Sequence, residues 1–399
     1  MKIHKKTKQI TSPFAGISFI DKSFTKSGLV ELIDNELGCR VQTVGYSYSD
    51  IIKNFFHIFF CGGDCAEDIQ THFKENLSSI PDNKVPSADT ILRGIKELTT
   101  DNTKFTSNDG NVYNFNINLK LNRLNIKSLL LTGQLQSGNY YDFDYDNQVI
   151  KNSKYDAKTS YKKVKAYVPA VGSIGENIVC VENRDGNANV KIGQAETLKR
   201  AYNLLREQGI YINRSRMDAG SYSKDIIDVV SQNSKLFYIR ANKSNRVFEQ
   251  LSEINDWEKV EINYCNYEVC SVKFDNFYQE RGYRLVAMRE RIDTNELDLF
   301  THGKFKYRVI LTNDWDSTEV EIIKYYNQRG TSEKLFDVMN NDFGWKNMPF
   351  SFLNENCSFL ILMAMCKNYY NHFVSIVSNV FDDIEPNTRL KRFIFRFIS

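Results

Sequence analysis

The sequence predicts an α/β fold, and three observations support this prediction. Residues 126–242 contain three strand-like segments, then a helix, a strand, a second helix and a last strand. The strand-like segments are short and rich in aromatic and β-branched residues, whereas the helical segments repeat apolar residues every three or four positions. A chain of 399 residues with 42% hydrophobic residues can also bury two or three domain cores. This order of elements is typical of a sheet covered by helices.

The N-terminal region, residues 1–125, is predicted to be mainly helical. "SDIIKNFFHIFF" has helical apolar spacing, and Ser49 is its expected N-cap. In "VPSADTILRGIKELT", Ser87 can cap a helix that carries Thr90 and Arg93 on its exposed side. Recognition helices of helix-turn-helix proteins have this pattern, and so do ordinary surface helices. The region is therefore a candidate for DNA binding and dimerisation, with Arg93 as a candidate contact.

Two strands carry the acidic residues of greatest interest. "NYYDFDYDNQVI" alternates strictly, so that Asp142, Asp144 and Asp146 share one face. Carboxylates this close repel each other unless solvent or a divalent cation compensates their charge. "IYINRSRMDAG" is a second strand, and Asp218 lies at its C-terminal end. If the two strands are neighbours, Asp146 and Asp218 meet at one edge of the sheet.

The rest of the chain divides into a β-rich insertion, residues 243–312, and a helical part, residues 313–399. The apolar run "FLILMAMC" is too short to span a bilayer and indicates a buried helix, so no membrane partner is expected. Eight cysteines include no CxxC pair and the five histidines are scattered, which argues against a zinc site. These cysteines are typical of the reduced thiols of a cytoplasmic protein.

The segment "YYNQRGTSEKLF" predicts a helix with Tyr326, Arg329 and Glu333 along one side. One explanation is a solvated face with an intrahelical Arg–Glu pair. The other is a catalytic face, in which Glu333 joins Asp146 and Asp218 as the third carboxylate of a metal site. Two divalent cations held by such carboxylates can activate a hydroxyl and stabilise the leaving oxygen of a phosphodiester. Arg329 and Tyr326 could then bind phosphate oxygens.

Three motifs together resemble those of the DDE transposases of bacterial insertion sequences. They are the Y-x-x-R-x-x-x-E signature in "YNQRGTSE", the strand "DFDYDNQ" and the segment "MDAGSYS". The likeness is to the family-four-like group, and within it to the thirteen-eighty branch. It covers most of the chain, and the joint spacing of the motifs is more specific than any one of them.

The resemblance implies an RNase H-like catalytic core interrupted by the β-rich insertion, after a helical N-terminal DNA-binding region. It also implies cut-and-paste transposition by a homodimer on the double-stranded terminal inverted repeats and on target DNA. Asp146, Asp218 and Glu333 would be the catalytic residues and the ligands of Mg²⁺, with Mn²⁺ as an expected substitute.

The sequence departs from the family pattern at two positions. The signature usually continues to a Lys seven residues after the Glu, and here that position is Asn340. Asn340 would take its place on the DNA-binding stripe, with Lys334 or Lys346 as alternative phosphate contacts. The first motif often carries a Thr shortly after the catalytic Asp, and here Asp146 is followed by Asn147 and Gln148. Asp144 therefore remains an alternative first ligand, although Asp146 matches the motif better.

Further DNA contacts are predicted near the first catalytic strand. In "AKTSYKKVKAYVP", Lys158, Lys162 and Lys163 are expected to follow the DNA backbone, or else to form a solvated strand face. Related enzymes stack a flipped base on an aromatic residue of the insertion, which makes Trp257 a candidate. A packed core Trp is the more common role for such a residue.

Three alternatives to an active transposase remain at this level. The chain could be a defective or repurposed transposase-derived protein that binds DNA without catalysis, or a structure-specific nuclease with the same core. A tyrosine recombinase using Tyr325 or Tyr326 is disfavoured, because no His-x-x-Arg pair precedes these residues.

Overall fold

The computed structural model describes residues 12–40, 45–242, 244–274, 282–291, 301–302 and 305–399. The fold is mixed α/β, as predicted, with one large sheet and helices packed against it. In the described residues, no helix combines the length and the apolar character that crossing a membrane requires.

The described α-helices are α1 (Ile17–Lys26), α2 (Leu29–Leu37), α3 (Tyr48–Phe60), α4 (Lys74–Ser78), α5 (Ala88–Glu97), α6 (Leu119–Leu131), α7 (Gln194–Glu207), α8 (Lys224–Asn233), α9 (Asn245–Ser252), α10 (Glu319–Asn327), α11 (Thr331–Asn341), α12 (Leu353–Ser378) and α13 (Leu390–Phe393). The described strands are β1 (Thr103–Thr106), β2 (Val112–Asn116), β3 (Tyr140–Asn147), β4 (Ile150–Lys151), β5 (Lys158–Thr159), β6 (Lys165–Tyr167), β7 (Ala170–Ile174), β8 (Asn177–Arg184), β9 (Tyr211–Met217), β10 (Ser234–Arg240), β11 (Glu258–Ile262), β12 (Cys265–Phe274), β13 (Tyr283–Arg291), β14 (Thr301–His302) and β15 (Phe305–Thr312).

The large sheet runs in the order β1-β2-β8-β7-β3-β9-β10-β15-β13-β12-β11, with β14 paired to β15. Strand β3 is parallel to β9, and β9 is parallel to β10. Strand β7 is antiparallel to both β3 and β8. Because β3 and β9 are parallel neighbours, their C-terminal ends lie at the same edge of the sheet. The two strands are therefore neighbours, which was the condition for Asp146 and Asp218 to meet at one edge of the sheet.

The segment "SYKKVKAYVPAVG" forms two strands rather than the single strand that the sequence predicts. Strands β6 and β7 lie on either side of Pro169, which has no N–H to donate to a ladder. Strand β6 leaves the large sheet and pairs with β4 and β5 in a separate three-stranded sheet. We call residues 150–167 the small sheet.

The β-rich strands after β10 extend the core sheet. Strand β15 pairs antiparallel with β10, and β13, β12 and β11 follow outward. The β11–β12 hairpin turns at Asn263 and Tyr264, which have φ values of 50° and 64°. Two successive positive φ values are typical of the tight turns that connect antiparallel strands.

The N-terminal helices and α12 share one hydrophobic core. Helix α12 is buried along most of its 26 residues, as expected for the apolar run that it contains. Helix α3 is capped by Ser47, whose side chain accepts a hydrogen bond from the Asp50 N–H, so the expectation that Ser49 is the cap was wrong. Ser49 is instead buried and donates to Asp34. The Ser87 cap of α5 is confirmed, because its hydroxyl accepts from the Thr90 N–H.

Gly186 is expected to tolerate no larger side chain, because it lies just after β8, where the chain passes the small sheet. A Cβ atom at this position would overlap the carbonyl oxygens of Ala166 and Lys158. Both clashing atoms are backbone atoms, so Gly186→Ala should lower the free energy of unfolding by at least about 2 kcal/mol. Urea denaturation measures this change. Gly330→Ala is the control, because no described atom lies within 4 Å of a Cβ atom there. Equal stabilities of the two variants would contradict this packing.

Candidate active site

The acidic face of β3 is matched by arginines on β9. In the parallel pairing, Asp142 lies opposite Arg214 and Asp144 lies opposite Arg216. Arg214 Nε donates to both oxygens of Asp142, at 2.9 and 3.0 Å. Arg216 donates to Asp144 through Nε at 2.7 Å and Nη2 at 2.6 Å. Neither solvent nor a cation is therefore needed to explain how these two carboxylates coexist.

Asp146 ends the acidic row and pairs with an arginine from a different part of the chain. The guanidinium of Arg329 lies 2.7 Å from Asp146 Oδ2. Burial raises the pKa of Asp146 to about 6; Arg329 opposes this rise, and the nearby carboxylate of Asp218 adds to it. Asp146 and Asp218 are thus close enough to repel each other, which agrees with the prediction that they meet at one edge of the sheet.

Asp218 is held by the turn that follows β9. Its Oδ1 accepts a hydrogen bond of 3.0 Å from the Gly220 N–H and caps a short 3₁₀ helix at Ala219–Ser221. The residue before it, Met217, accepts a 3.1 Å hydrogen bond at its carbonyl from the Tyr326 hydroxyl. The backbone beside Asp218 is therefore attached directly to α10.

Helix α10 is docked on the paired strands by Tyr325 and Tyr326. Arg216 Nη1 donates to the Tyr325 carbonyl at 2.9 Å. The guanidinium carbons of Arg214 and Arg216 lie 4.0 and 4.6 Å from the centre of the Tyr325 ring. Burial raises the pKa of Tyr326 to about 12 and that of Tyr325 as well. Both rings serve to position α10, and a tyrosinate nucleophile at either position would be unfavourable.

The predicted single helix through Tyr326, Arg329 and Glu333 is interrupted. Helix α10 ends at Asn327, a 3₁₀ turn covers Gln328–Gly330, and α11 begins at Thr331. Gly330, with its low helix propensity, is the last residue of this interruption. Tyr326 and Arg329 reach the Asp146–Asp218 edge, whereas Glu333 is exposed in the first turn of α11.

Glu333 does not meet the two aspartates closely in this structure. Among the described residues, the only trio of acidic, Cys or His ligand atoms within 4.8 Å of one another is Asp64, Cys65 and Asp68. That trio is mostly exposed and distant in sequence from the motifs. Asn340 is half-buried on α11, seven residues after Glu333. The role of Glu333 as third ligand stays a prediction.

The remaining predicted DNA contacts lie on the surface, with one exception. Arg93 is exposed on α5, and Lys158, Lys162 and Lys163 are exposed on the small sheet. Trp257 is half-buried, and its indole N–H donates to the Ile254 carbonyl at 3.1 Å. The Arg289 guanidinium lies 3.9 Å from the Trp257 ring centre. The face of the Trp257 ring is thus already in contact with a cation.

Sequence reasoning missed a basic cavity beside Tyr326. This cavity of about 470 Å³ is lined by Arg240, Lys306 and Arg308, over an apolar floor that includes Ile310. Lys306 and Arg308 share one carboxylate, Glu290, at 3.9 Å each. Arg240 has no ion pair in the described part of the chain. The alternating cations of "KFKYRV" were the available signal, because they place Lys306 and Arg308 on one strand face.

The residues at the sheet edge fit a divalent cation of the magnesium type. Mg²⁺ prefers carboxylate oxygens supplemented by water and phosphate. Asp146 and Asp218 supply such oxygens. Burial raises the pKa of Asp146 and repulsion by Asp218 adds to the rise, and a bound cation would relieve that repulsion. The only guanidinium paired with Asp146 in the described residues is that of Arg329. The donor set contains no thiolate or imidazole and so does not favour zinc.

Comparison with known proteins identifies the family. The profile described as "Transposase DDE domain" matches residues 143–369, more than half of the chain. The chain belongs to this transposase family. It is also similar to a solved structure described as "Cryo-EM structure of piggyBac transposase synaptic complex with hairpin DNA", with 12% identity and a TM-score of 0.41 over 98% of this chain and 86% of that chain. The search of curated proteins finds no match.

The transposase DDE domain begins within β3 and ends within α12. Asp146, Asp218 and Glu333 therefore all lie inside the matched range. So do the arginines of β9 and the two tyrosines of α10. The family match therefore supports the resemblance of the three motifs to those of transposases, at the level of this family.

The two neighbouring tyrosines of this transposase should respond differently to loss of their hydroxyl groups. The Tyr326 hydroxyl donates to the Met217 carbonyl, whereas the Tyr325 hydroxyl is buried and has no hydrogen-bond partner among the described residues. Tyr326→Phe should therefore lower the free energy of unfolding by about 1 kcal/mol, and Tyr325→Phe should leave it unchanged or raise it slightly. Chemical denaturation of both variants measures the difference, and the reverse order would contradict the assigned hydrogen bond.

Proposed function

We propose that this protein is a DNA transposase that cuts and joins DNA strands at the terminal inverted repeats of its element. One observation carries the proposal: Asp146 and Asp218 lie together at the ends of two parallel strands, with Arg329 and Tyr326 beside them. Paired carboxylates with adjacent phosphate-binding side chains are suited to phosphoryl transfer. The family match supports the same conclusion.

The proposed catalytic core is RNase H-like. Its support is the strand order β8-β7-β3-β9-β10, with two antiparallel pairs followed by two parallel pairs. The core would comprise residues 126–242 and 313–399, interrupted by the β-rich residues 243–312. Residues 1–125 would supply DNA binding and dimerisation, with Arg93 as a DNA contact. The element would be a bacterial insertion sequence of the family-four-like group, thirteen-eighty branch.

Asp146, Asp218 and Glu333 are the proposed ligands of Mg²⁺, for which Mn²⁺ would substitute. When bound, the cations would make a hydroxyl nucleophilic and would stabilise the leaving oxygen. The preference for Asp146 over Asp144 is supported by the ion pairs. Asp144 is buried and accepts hydrogen bonds from Nε and Nη2 of Arg216, whereas Asp146 lies at the strand end beside Asp218.

Arg329 and Tyr326 would orient the DNA backbone at this edge. A guanidinium can bind two phosphate oxygens at once, and Arg329 is already placed at the carboxylate edge by its contact with Asp146. Arg240, Lys306 and Arg308 in the adjacent cavity would add positive charge next to Tyr326. Asn340 and Trp257 would contact the DNA farther from the reacting phosphate.

The proposed partner of the protein is double-stranded DNA. Duplex terminal repeats would be held by a homodimer, and target DNA would enter the same assembly. The alternative with specific support is a DNA-binding protein without catalysis, because Glu333 is exposed and does not lie close to both aspartates.

A strand-cleavage assay tests the proposal. A plasmid carrying the DNA that flanks this gene is incubated with Mg²⁺ or Mn²⁺ and with wild type, Glu333→Gln or Glu253→Gln. Glu253 is an exposed control carboxylate outside the motifs. Cuts at the repeat ends by wild type and Glu253→Gln, but not by Glu333→Gln, are expected.

The other outcomes are equally informative. Equal cutting by all three proteins would remove Glu333 from the site. Repeat binding without cutting by any of them, in either metal, would favour the non-catalytic DNA-binding protein.

A further inference from the structure

The small sheet, residues 150–167, carries a concentration of positive charge that is not neutralised. The segment contains six lysines and one acidic residue. The lysines are Lys151, Lys154, Lys158, Lys162, Lys163 and Lys165, and five of them are exposed, Lys154 being half-buried. Within the described part of the chain, none of the six has a carboxylate within 4 Å. The free charge is therefore available to a partner.

The acidic residue of the small sheet is used internally. Asp156 accepts a hydrogen bond from the Tyr167 hydroxyl and another of 2.9 Å from the Leu353 N–H at the start of α12. The Tyr155 N–H donates to the Ser351 carbonyl at 3.1 Å. Ile150 and Tyr167 are buried in the core shared with α12. The small sheet is thus fastened to the protein on one side and presents its lysines on the other.

The small sheet lies near the proposed catalytic edge. Strand β4 begins at Ile150, only four residues after Asp146. Four residues of fully extended chain span at most about 14 Å. The major groove of a DNA duplex alone is about 12 Å wide. A duplex resting on the small sheet could therefore bring its backbone to Asp146.

The small sheet is poorly equipped to read a base sequence. It contains no Arg and no Gln, whose planar groups read base edges with paired hydrogen bonds. The amide of Asn152 is occupied, because its nitrogen donates to the Ile150 carbonyl and its oxygen accepts from the Lys154 N–H. Lysines that contact phosphates position DNA without specifying its sequence.

We infer that the small sheet binds duplex DNA irrespective of sequence and holds the target DNA into which the element is inserted. Binding of the duplex backbone follows from the charge and does not depend on catalysis. The assignment to target DNA rests on the proposed function, since a target varies in sequence whereas terminal repeats do not.

The binding arm of the test uses the full chain and a random-sequence duplex. The variant is Lys158→Gln/Lys162→Gln/Lys163→Gln, and the control is Lys104→Gln/Lys199→Gln/Lys259→Gln, which removes three exposed lysines from other elements. Three lost phosphate contacts should make the slope of log K against log salt shallower by about 2.7. Between 50 and 200 mM salt, the affinity of wild type should fall about 40-fold more than that of the variant.

The salt dependence of the two triple variants decides whether the small sheet binds DNA. A shallower slope in the small-sheet variant alone supports the inference. Equal slopes in the two triple variants would overturn it. Binding of a single strand as tight as binding of the duplex would overturn the duplex assignment.

The reaction arm separates target DNA from terminal repeats. In the small-sheet variant, joining of pre-cut ends to a random plasmid should fall at least tenfold more than cleavage at the repeat ends. Equal loss of both reactions would show that the sheet holds the repeats instead. If wild type neither cuts nor joins, the proposed function fails, while the binding arm still decides whether the sheet binds DNA.

Discussion

Asp146→Asn is expected to abolish strand cleavage while leaving the protein folded. Under the proposed function Asp146 is a ligand of the cation, so loss of its carboxylate should remove several kcal/mol of transition-state stabilisation, and 4 kcal/mol corresponds to a rate about 10³-fold lower. The measurement is the rate of cutting at the repeat ends in Mg²⁺, with DNA binding followed in parallel. Binding should persist, because the carboxylate is not a phosphate contact.

The stability of Asp146→Asn should change little. Burial and the proximity of Asp218 disfavour the ionised carboxylate, and its pair with Arg329 offsets this cost. Substitution by Asn removes both the cost of the ionised carboxylate and its favourable pair with Arg329. The melting temperature should therefore shift by less than about 3 °C, which corresponds to roughly 1 kcal/mol for a domain of this size.

Two neighbouring substitutions control for general effects on β3. Asp142→Asn lies on the same face and loses only its half-exposed pair with Arg214, so cleavage should continue. Asp144→Asn should destabilise the protein, but the folded fraction should still cut. Cleavage by Asp146→Asn together with its loss in a folded Asp144→Asn would transfer the first-ligand role to Asp144.

The acidic row of β3 shows how much of the site could be predicted from sequence. The alternation in "DFDYD" placed three carboxylates on one face, and the element order allowed Asp146 and Asp218 to approach. The alternation in "NRSRM" likewise places Arg214 and Arg216 on one face of β9. Their pairing with the aspartates could not be predicted, because it depends on the register between β3 and β9, which tertiary packing sets.

The position of Glu333, by contrast, could not be predicted from the sequence. Helical periodicity alone aligns Tyr326, Arg329 and Glu333, but the 3₁₀ turn at Gln328–Gly330 interrupts the α-helix on which that alignment depends. Contacts that lie far away in sequence decide such a break: Arg216 holds the end of α10, and Arg389 pairs with Asp342 immediately after α11. Local spacing contains no information about either contact.

Arg216→Met is expected to be among the most destabilising substitutions at the paired strands β3 and β9. Arg216 and Asp144 have side chains only 9% and 6% exposed, so removing the guanidinium leaves a buried carboxylate without its partner. Breaking a buried pair in this way typically costs about 3–5 kcal/mol. The Tyr325 carbonyl also loses its donor, which loosens the attachment of α10. Urea denaturation of the purified variants measures the loss.

The neighbouring pair provides a matched control with the same chemistry. Arg214 and Asp142 are 37% and 31% exposed, so water can solvate whichever partner remains. Arg214→Met should therefore cost no more than about 1 kcal/mol. The double variant Asp144→Asn/Arg216→Met should recover much of the stability, because the unpaired buried charge is gone. Similar losses for Arg214→Met and Arg216→Met, or no recovery in the double variant, would mean that the cost comes from packing of the arginine stems and not from the buried charge.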